Sequence, residues 1–168
     1  MIVKEDVFYN LTKGRLTFEG VVKEILDFIQ ENPNFSYEVI VGCDSSSGTN
    51  PSFPLVIVVL RKGNGGRFFF KKIHFKNKIF HHLRERILQE VFLSCELALL
   101  LRENLEREIK KLNHPFLWEF KYIHTDISET GLTKDMIREV VALIKSNGFE
   151  AKIKPESFAA SVVADRYT

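Results

Sequence analysis

Four acidic side chains interrupt or close apolar segments of this sequence, where a carboxylate is costly unless something offsets its charge. Asp44 follows the run Val39-Ile40-Val41-Gly42-Cys43, and Asp126 follows Tyr122-Ile123-His124-Thr125. Glu90 lies inside a long helical pattern, and Asp165 closes the small-residue run Ala159-Ala160-Ser161-Val162-Val163-Ala164. Carboxylates that converge repel one another and rise in pKa, and a hard divalent cation removes that penalty. All-oxygen donors with open positions suit Mg2+ or Mn2+, ions that activate water and stabilise a leaving oxygen in phosphodiester hydrolysis. Each acid alone also has an ordinary reading. Asp44 and Asp126 could cap turns at strand ends, Glu90 could be half of a buried salt bridge, and Asp165 a helix-end charge beside Arg166.

Glu90 carries the most weight. At 100° per residue its helix places Leu83, Ile87, Ser94, Leu97 and Leu101 within about 40° of one direction, and Glu90 falls about 20° from the centre of that stripe. Glu85 and Glu96 fall on the opposite side, where charges belong. Glu108 shares the stripe, but about 27 Å further along at the helical rise. A carboxylate on the buried stripe needs a partner or an ion.

The elements that must position these acids are legible from periodicity. Thr17–Glu31 is an amphipathic helix stopped by Asn32-Pro33-Asn34. Three strands follow, at Glu38–Asp44, Leu55–Arg61 and Arg67–Lys76, the last two joined across a Gly-rich turn as an antiparallel hairpin. A long helix runs from about Phe80 to Lys111, a fourth strand over Trp118–Asp126, and a helix capped by Thr133 to Ser146. Phe149–Lys154 alternates as a fifth strand, with Phe149, Ala151 and Ile153 facing in, and Pro155 opens a final helix to Asp165. A meander followed by alternating helices and strands implies an α/β fold, a mixed sheet with helices on both faces.

At 168 residues, 45% hydrophobic and 27% charged, the chain fits one globular domain, with residues 1–36 a helical extension and 37–168 the core. The net charge of +2 is unevenly spread. Arg67–Arg86 holds seven basic residues against Glu85, and Arg67, Lys71, Lys72, Lys76, Lys78 and Arg84 would form a surface that tracks phosphates of a nucleic acid. A lysine-studded sheet edge that deters aggregation fits the same residues. Cys43 and Cys95 lack metal-binding spacing and read as buried thiols. Met1–Asn10 is mixed and charged, and no apolar run is long enough to cross a bilayer, so a cytoplasmic protein without membrane contact is expected. Val91–Leu101 is apolar nearly all round, which calls for cover on more than one side, by another helix or by a second copy in a homodimer.

The order of these acids resembles the ribonuclease H-like superfamily: Asp on the first strand, Glu on the long helix, Asp on the fourth strand, Asp on the last helix. Individual segments resemble its YkuK-type group of uncharacterised, predicted nucleases. The matching pieces are Phe8-Tyr9-Asn10-Leu11, Val41-Gly42-Cys43-Asp44-Ser45, Glu90, His124-Thr125-Asp126-Ile127, and Lys152-Ile153-Lys154-Pro155 with Ala164-Asp165-Arg166-Tyr167-Thr168. The resemblance implies a five-stranded sheet ordered 3-2-1-4-5 and metal held by Asp44, Glu90, Asp126 and Asp165. Ser45, Ser94 and His124 would support the acids from behind, His124 as a proton carrier or, more simply, as a packed core histidine. A metal-dependent nuclease acting on RNA, DNA or a hybrid is the expected activity. A non-catalytic nucleic-acid- or protein-binding module that keeps the fold is the alternative.

Overall fold

The computed structural model describes residues 3–5, 7–164 and 166. Two short strands, β1 (Phe8–Asn10) and β2 (Gly14–Leu16), form a hairpin, tightened by Asn10 Oδ1 accepting from the backbone of Thr12 and Lys13. Helix α1 (Phe18–Glu31) starts where the Thr17 hydroxyl accepts from the Gly20 N–H at 3.0 Å, an N-cap that satisfies one orphan donor. Its stripe of Phe18, Val21, Val22, Ile25, Phe28 and Ile29 is buried.

Strands β3 (Ser36–Cys43), β4 (Ser52–Arg61) and β5 (Gly66–His74) form the antiparallel meander. β4 is central: Leu55, Ile57 and Val59 pack into one face, Val56 and Val58 into the other. Helix α2 (Leu83–Lys111) leads to β6 (Leu117–Thr125), which lies parallel to β3. A 3-10 turn at Lys134–Met136 precedes α3 (Ile137–Ser146), and β7 (Glu150–Lys152) pairs parallel with β6. A six-residue π-helical segment spans Ala159–Ala164.

The sheet order is β2-β1-β5-β4-β3-β6-β7. Its last five members reproduce the expected 3-2-1-4-5 order. The β1–β2 hairpin extends the sheet beyond β5, pairing through Tyr9 and Phe70. Among the described residues there are therefore seven strands rather than five, and the segment before β3 is not helical alone. Helices α1, α2 and α3 share one large core on one face. On the other, Ala159 and Ala164 pack with Ile40, Val56 and Val58.

Three local expectations are corrected. Pro155 does not open a helix; residues 154–156 form a turn and helical winding starts at Phe158. The Thr133 hydroxyl does not cap a helix but accepts from the Ser128 N–H at 3.0 Å, closing the loop after β6. The strand at Phe149–Lys154 shortens to three residues, because β6 offers partners only through His124 opposite Lys152. On α2, Val91, Leu93, Cys95, Leu97, Ala98 and Leu101 are buried, but Phe92 is 51% and Leu99 40% exposed. One side of that segment thus faces out.

Candidate functional site

Parallel pairing explains why two distant acids meet. Cys43 stands opposite Thr125 in the β3–β6 register, so the next residues, Asp44 and Asp126, leave adjacent strands at the same edge, about 5 Å apart in backbone spacing. Asp44 is fixed there by its N–H donating to Pro54 O at 3.3 Å. Helix α2 crosses above this edge and lowers Glu90 onto it. The three acids line one cavity of about 430 Å3, with Arg86 and Lys154 contributing its cations.

Glu90 is the most deeply buried of the three, at 3% exposure. Its Oε1 accepts from both the backbone N–H (2.9 Å) and the hydroxyl (2.5 Å) of Ser45. Its Oε2 is buried without a hydrogen-bond partner. Burial pushes its carboxyl up to about 8, Asp44 and then Asp126 adding to the rise against the two Ser45 bonds. Glu90 is thus close enough to both aspartates to feel their charge. Of the three acids, it is Glu90 to which Ser45 is hydrogen-bonded.

Asp126 Oδ1 lies 2.9 Å from Lys154 Nζ but makes no aligned hydrogen bond. Arg86, one turn before Glu90 on α2, donates to Ser46 O at 2.7 Å. Neither cation stood out in the sequence. Arg86 could have been found, since it precedes Glu90 by one helical turn. Lys154 could not, because its reach depends on a turn that periodicity does not show. Among the described residues, no three His, Cys, Asp or Glu side chains close into a ready-made metal cage. Asp165 lies outside the described residues.

His124 is 2% exposed. Its Nδ1 accepts from Ala159 N–H at 3.1 Å and its ring meets Phe158 edge-on at 4.8 Å. Burial, and then the charge of Lys152, pushes its pKa down to about 4, so it acts as a neutral core histidine anchoring the π-helical segment. Ser94 is buried on the α2 stripe but does not line the cavity. Cys43 and Cys95 are free, buried thiols.

The basic tract does not form one surface. Lys71 is 1% exposed, with its ammonium over the Phe8 ring and hydrogen-bonded to Glu5 O, which removes it from any phosphate track. Arg67 stacks on Phe28 and faces Glu31 at 3.8 Å, five residues and about 17 Å along β5 from Lys72. Arg84 makes two bonds to Glu139, at 2.5 and 2.7 Å. Lys72, Lys76 and Lys78 remain exposed. Lys72 pairs across to Pro54, the acceptor of the Asp44 N–H. This places its backbone two strands from the acids, about 10 Å. A larger groove of about 590 Å3 lies along the far end of α2 beside Trp118, but no orphaned carboxylate opens into it.

A parallel β3–β6 pair carrying acids at one edge, a long helix bringing a third and a strand order of 3-2-1-4-5 define a ribonuclease H-like architecture. The Ribonuclease H-like family profile matches residues 20–168, and the chain belongs to that family. Within it the chain is of YkuK type: the Uncharacterized protein YkuK of Bacillus subtilis (strain 168) is 35% identical over 167 residues, covering 96% of each chain. No solved structure matches. The β1–β2 hairpin lies before the profile match. No helix among the described residues is long and apolar enough to cross a membrane.

Proposed function

We propose that the protein is a divalent-metal-dependent nuclease, with Asp44, Glu90 and Asp126 holding Mg2+ or Mn2+. Asp165, outside the described residues, is proposed as the fourth ligand. One observation supports this reading above the others: Glu90 is a deeply buried carboxyl whose second oxygen has no partner, beside two further acids in an open cavity. A structural carboxylate so placed would be expected to face an arginine or lysine. Among the described residues Glu90 has only Ser45, a neutral donor. The donor set is all oxygen, as a hard ion requires.

When bound, such an ion, alone or as one of a pair, supplies Lewis-acid activation of water and stabilises the leaving oxygen of a phosphodiester. The chain's own residues do the rest. Ser45 fixes Glu90 Oε1 and leaves Oε2 as the oxygen available to an ion. Arg86 places a cation at its wall for a phosphate oxygen. Lys72, Lys76 and Lys78 offer charge along the approach, which gives salt-dependent binding to a nucleic acid. A homodimer through the exposed Phe92 and Leu99 is compatible with this arrangement, since that side of α2 faces away from the sheet.

The test is cleavage of labelled single-stranded, duplex and hybrid oligonucleotides with Mn2+, comparing the wild type with Asp44→Asn. Cleavage by the wild type alone supports the proposal. Binding without cleavage by either protein supports the non-catalytic nucleic-acid module, and equal cleavage by both places any activity elsewhere.

A further inference from the structure

Resting on the metal-dependent reading, we propose that Lys154 is a displaceable counter-ion. Its ammonium holds Asp126 until a divalent ion takes that oxygen, and then turns to a phosphate oxygen of the bound strand.

The pair is close but poorly made. Lys154 Nζ stands 2.9 Å from Asp126 Oδ1, yet that oxygen accepts no aligned hydrogen bond. The attraction is Coulombic rather than directed. The lysine side chain is 45% and the aspartate side chain 21% exposed, and solvent on the lysine side screens the pair in part. A divalent ion brings twice the charge to the same oxygen and gains Asp44 and Glu90 besides, so the ammonium loses the competition.

The backbone end of Lys154 is held, while its side chain as a whole is 45% exposed. Its N–H donates to Ile127 O at 2.9 Å, one residue beyond Asp126. The four-carbon stem therefore pivots about an anchored Cα, and the displaced charge stays at the cavity mouth. Arg86 is the contrasting cation. It is tied to Ser46 O, and among the described residues no carboxylate pairs with it. Two cations lining one cavity with three acids suit a phosphate that arrives with its metal ion better than they suit a bare metal ion.

The experiment titrates Mn2+ alone, by calorimetry, into the full chain and into Lys154→Met, Lys154→Arg and Lys152→Met. Lys152 carries the same charge two residues earlier but faces Glu156 and stacks over Tyr122. Removing a competitor raises apparent affinity by the reciprocal of the fraction of sites it left free. Lys154→Met should bind Mn2+ about three- to tenfold tighter, Lys152→Met less than about twofold tighter, and Lys154→Arg like the wild type. In saturating Mn2+, a labelled oligothymidylate should bind Lys154→Met at least about threefold more weakly, since one phosphate oxygen is left without its cation. Lys154→Gln should repeat both shifts. Equal Mn2+ gains in Lys154→Met and Lys152→Met, or unchanged oligonucleotide affinity, overturn the proposal and leave the ion site standing. A wild type that binds no Mn2+ overturns both.

Discussion

Ser45 gives both its backbone N–H and its hydroxyl to a single oxygen of Glu90, at 2.9 and 2.5 Å, and leaves the other oxygen buried without a partner. The serine directly after Asp44 thus sets the orientation of an acid 45 positions away. The carboxyl end of β3 and the middle of α2 act as one unit.

Replacing Glu90 with Gln keeps an acceptor for Ser45 and removes the charge. A carboxyl raised from 4.5 to about 8 by burial is neutral in the fold at a pH where the unfolded chain has ionised it. Its contribution to stability is therefore complete below about pH 4.5 and is lost as pH rises through 8. Metal-free Glu90→Gln should be more stable than the wild type, by an amount that grows with pH to on the order of a few kcal/mol. Urea denaturation at about pH 5, 7 and 8.5 measures it; a constant difference between the two proteins would show that Glu90 is ionised throughout.

Ion binding should carry a proton with it. Since Glu90 must lose its proton to become a ligand, Mn2+ affinity should rise with pH and level off above about 8. Calorimetry in buffers of different ionisation enthalpy should report close to one proton released per ion near neutral pH. Zero release would mean that Glu90 is not among the ligands.

Ser45→Ala removes the 2.5 Å hydroxyl bond and leaves a buried acceptor underused. The expected cost is about 1–2 kcal/mol of stability. With one lowering influence gone, the pH at which Mn2+ affinity levels off should move upward. Titration of the variant would reveal no shift if the hydroxyl served packing alone.

Gly42 is needed for the close approach of the π-helical segment. A Cβ there would stand 2.8 Å from Ala160 N and 3.0 Å from Ala159 C, both backbone atoms that cannot swing aside. Gly42→Ala should cost about 1–3 kcal/mol. Chemical denaturation measures it, and a neutral result would mean that the segment rides loosely on the sheet.

Nucleic-acid affinity should separate the basic residues by place. Neutralising Lys72, Lys76 and Lys78 together should flatten the dependence of affinity on salt, by up to about one unit of slope for each lysine that meets a phosphate. Lys71→Met should leave that slope unchanged and lower stability instead, because its ammonium is buried against Glu5 and Phe8. Filter binding over a salt series distinguishes the two variants.

The sequence showed most where periodicity was strong and long. α1, the meander and α2 are regular enough that the stripe through Leu83, Ile87 and Leu97 located Glu90 on the buried face. The strand-end positions of Asp44 and Asp126 were equally legible. What stayed hidden was short or irregular. The strands Phe8–Asn10 and Gly14–Leu16 are three residues each, too brief for alternation to register. The π-helical winding at Ala159–Ala164 breaks the helical period of about 3.6 residues on which helical faces are read. Charge along the chain also misled: Lys71, next to exposed Lys72, points into the core because neighbours on a strand face opposite sides. The Lys154–Asp126 pair depends on the turn after β7, which no local pattern encodes.

The most direct measurement is a crystal of the full chain soaked in Mn2+ and probed at the manganese absorption edge. An anomalous peak is expected in the cavity, within bonding distance of Glu90 Oε2 and of carboxylate oxygens of Asp44 and Asp126, with Lys154 Nζ moved off Asp126. A cavity without a peak at saturating Mn2+, its lysine still seated on Asp126, would contradict the metal-dependent reading.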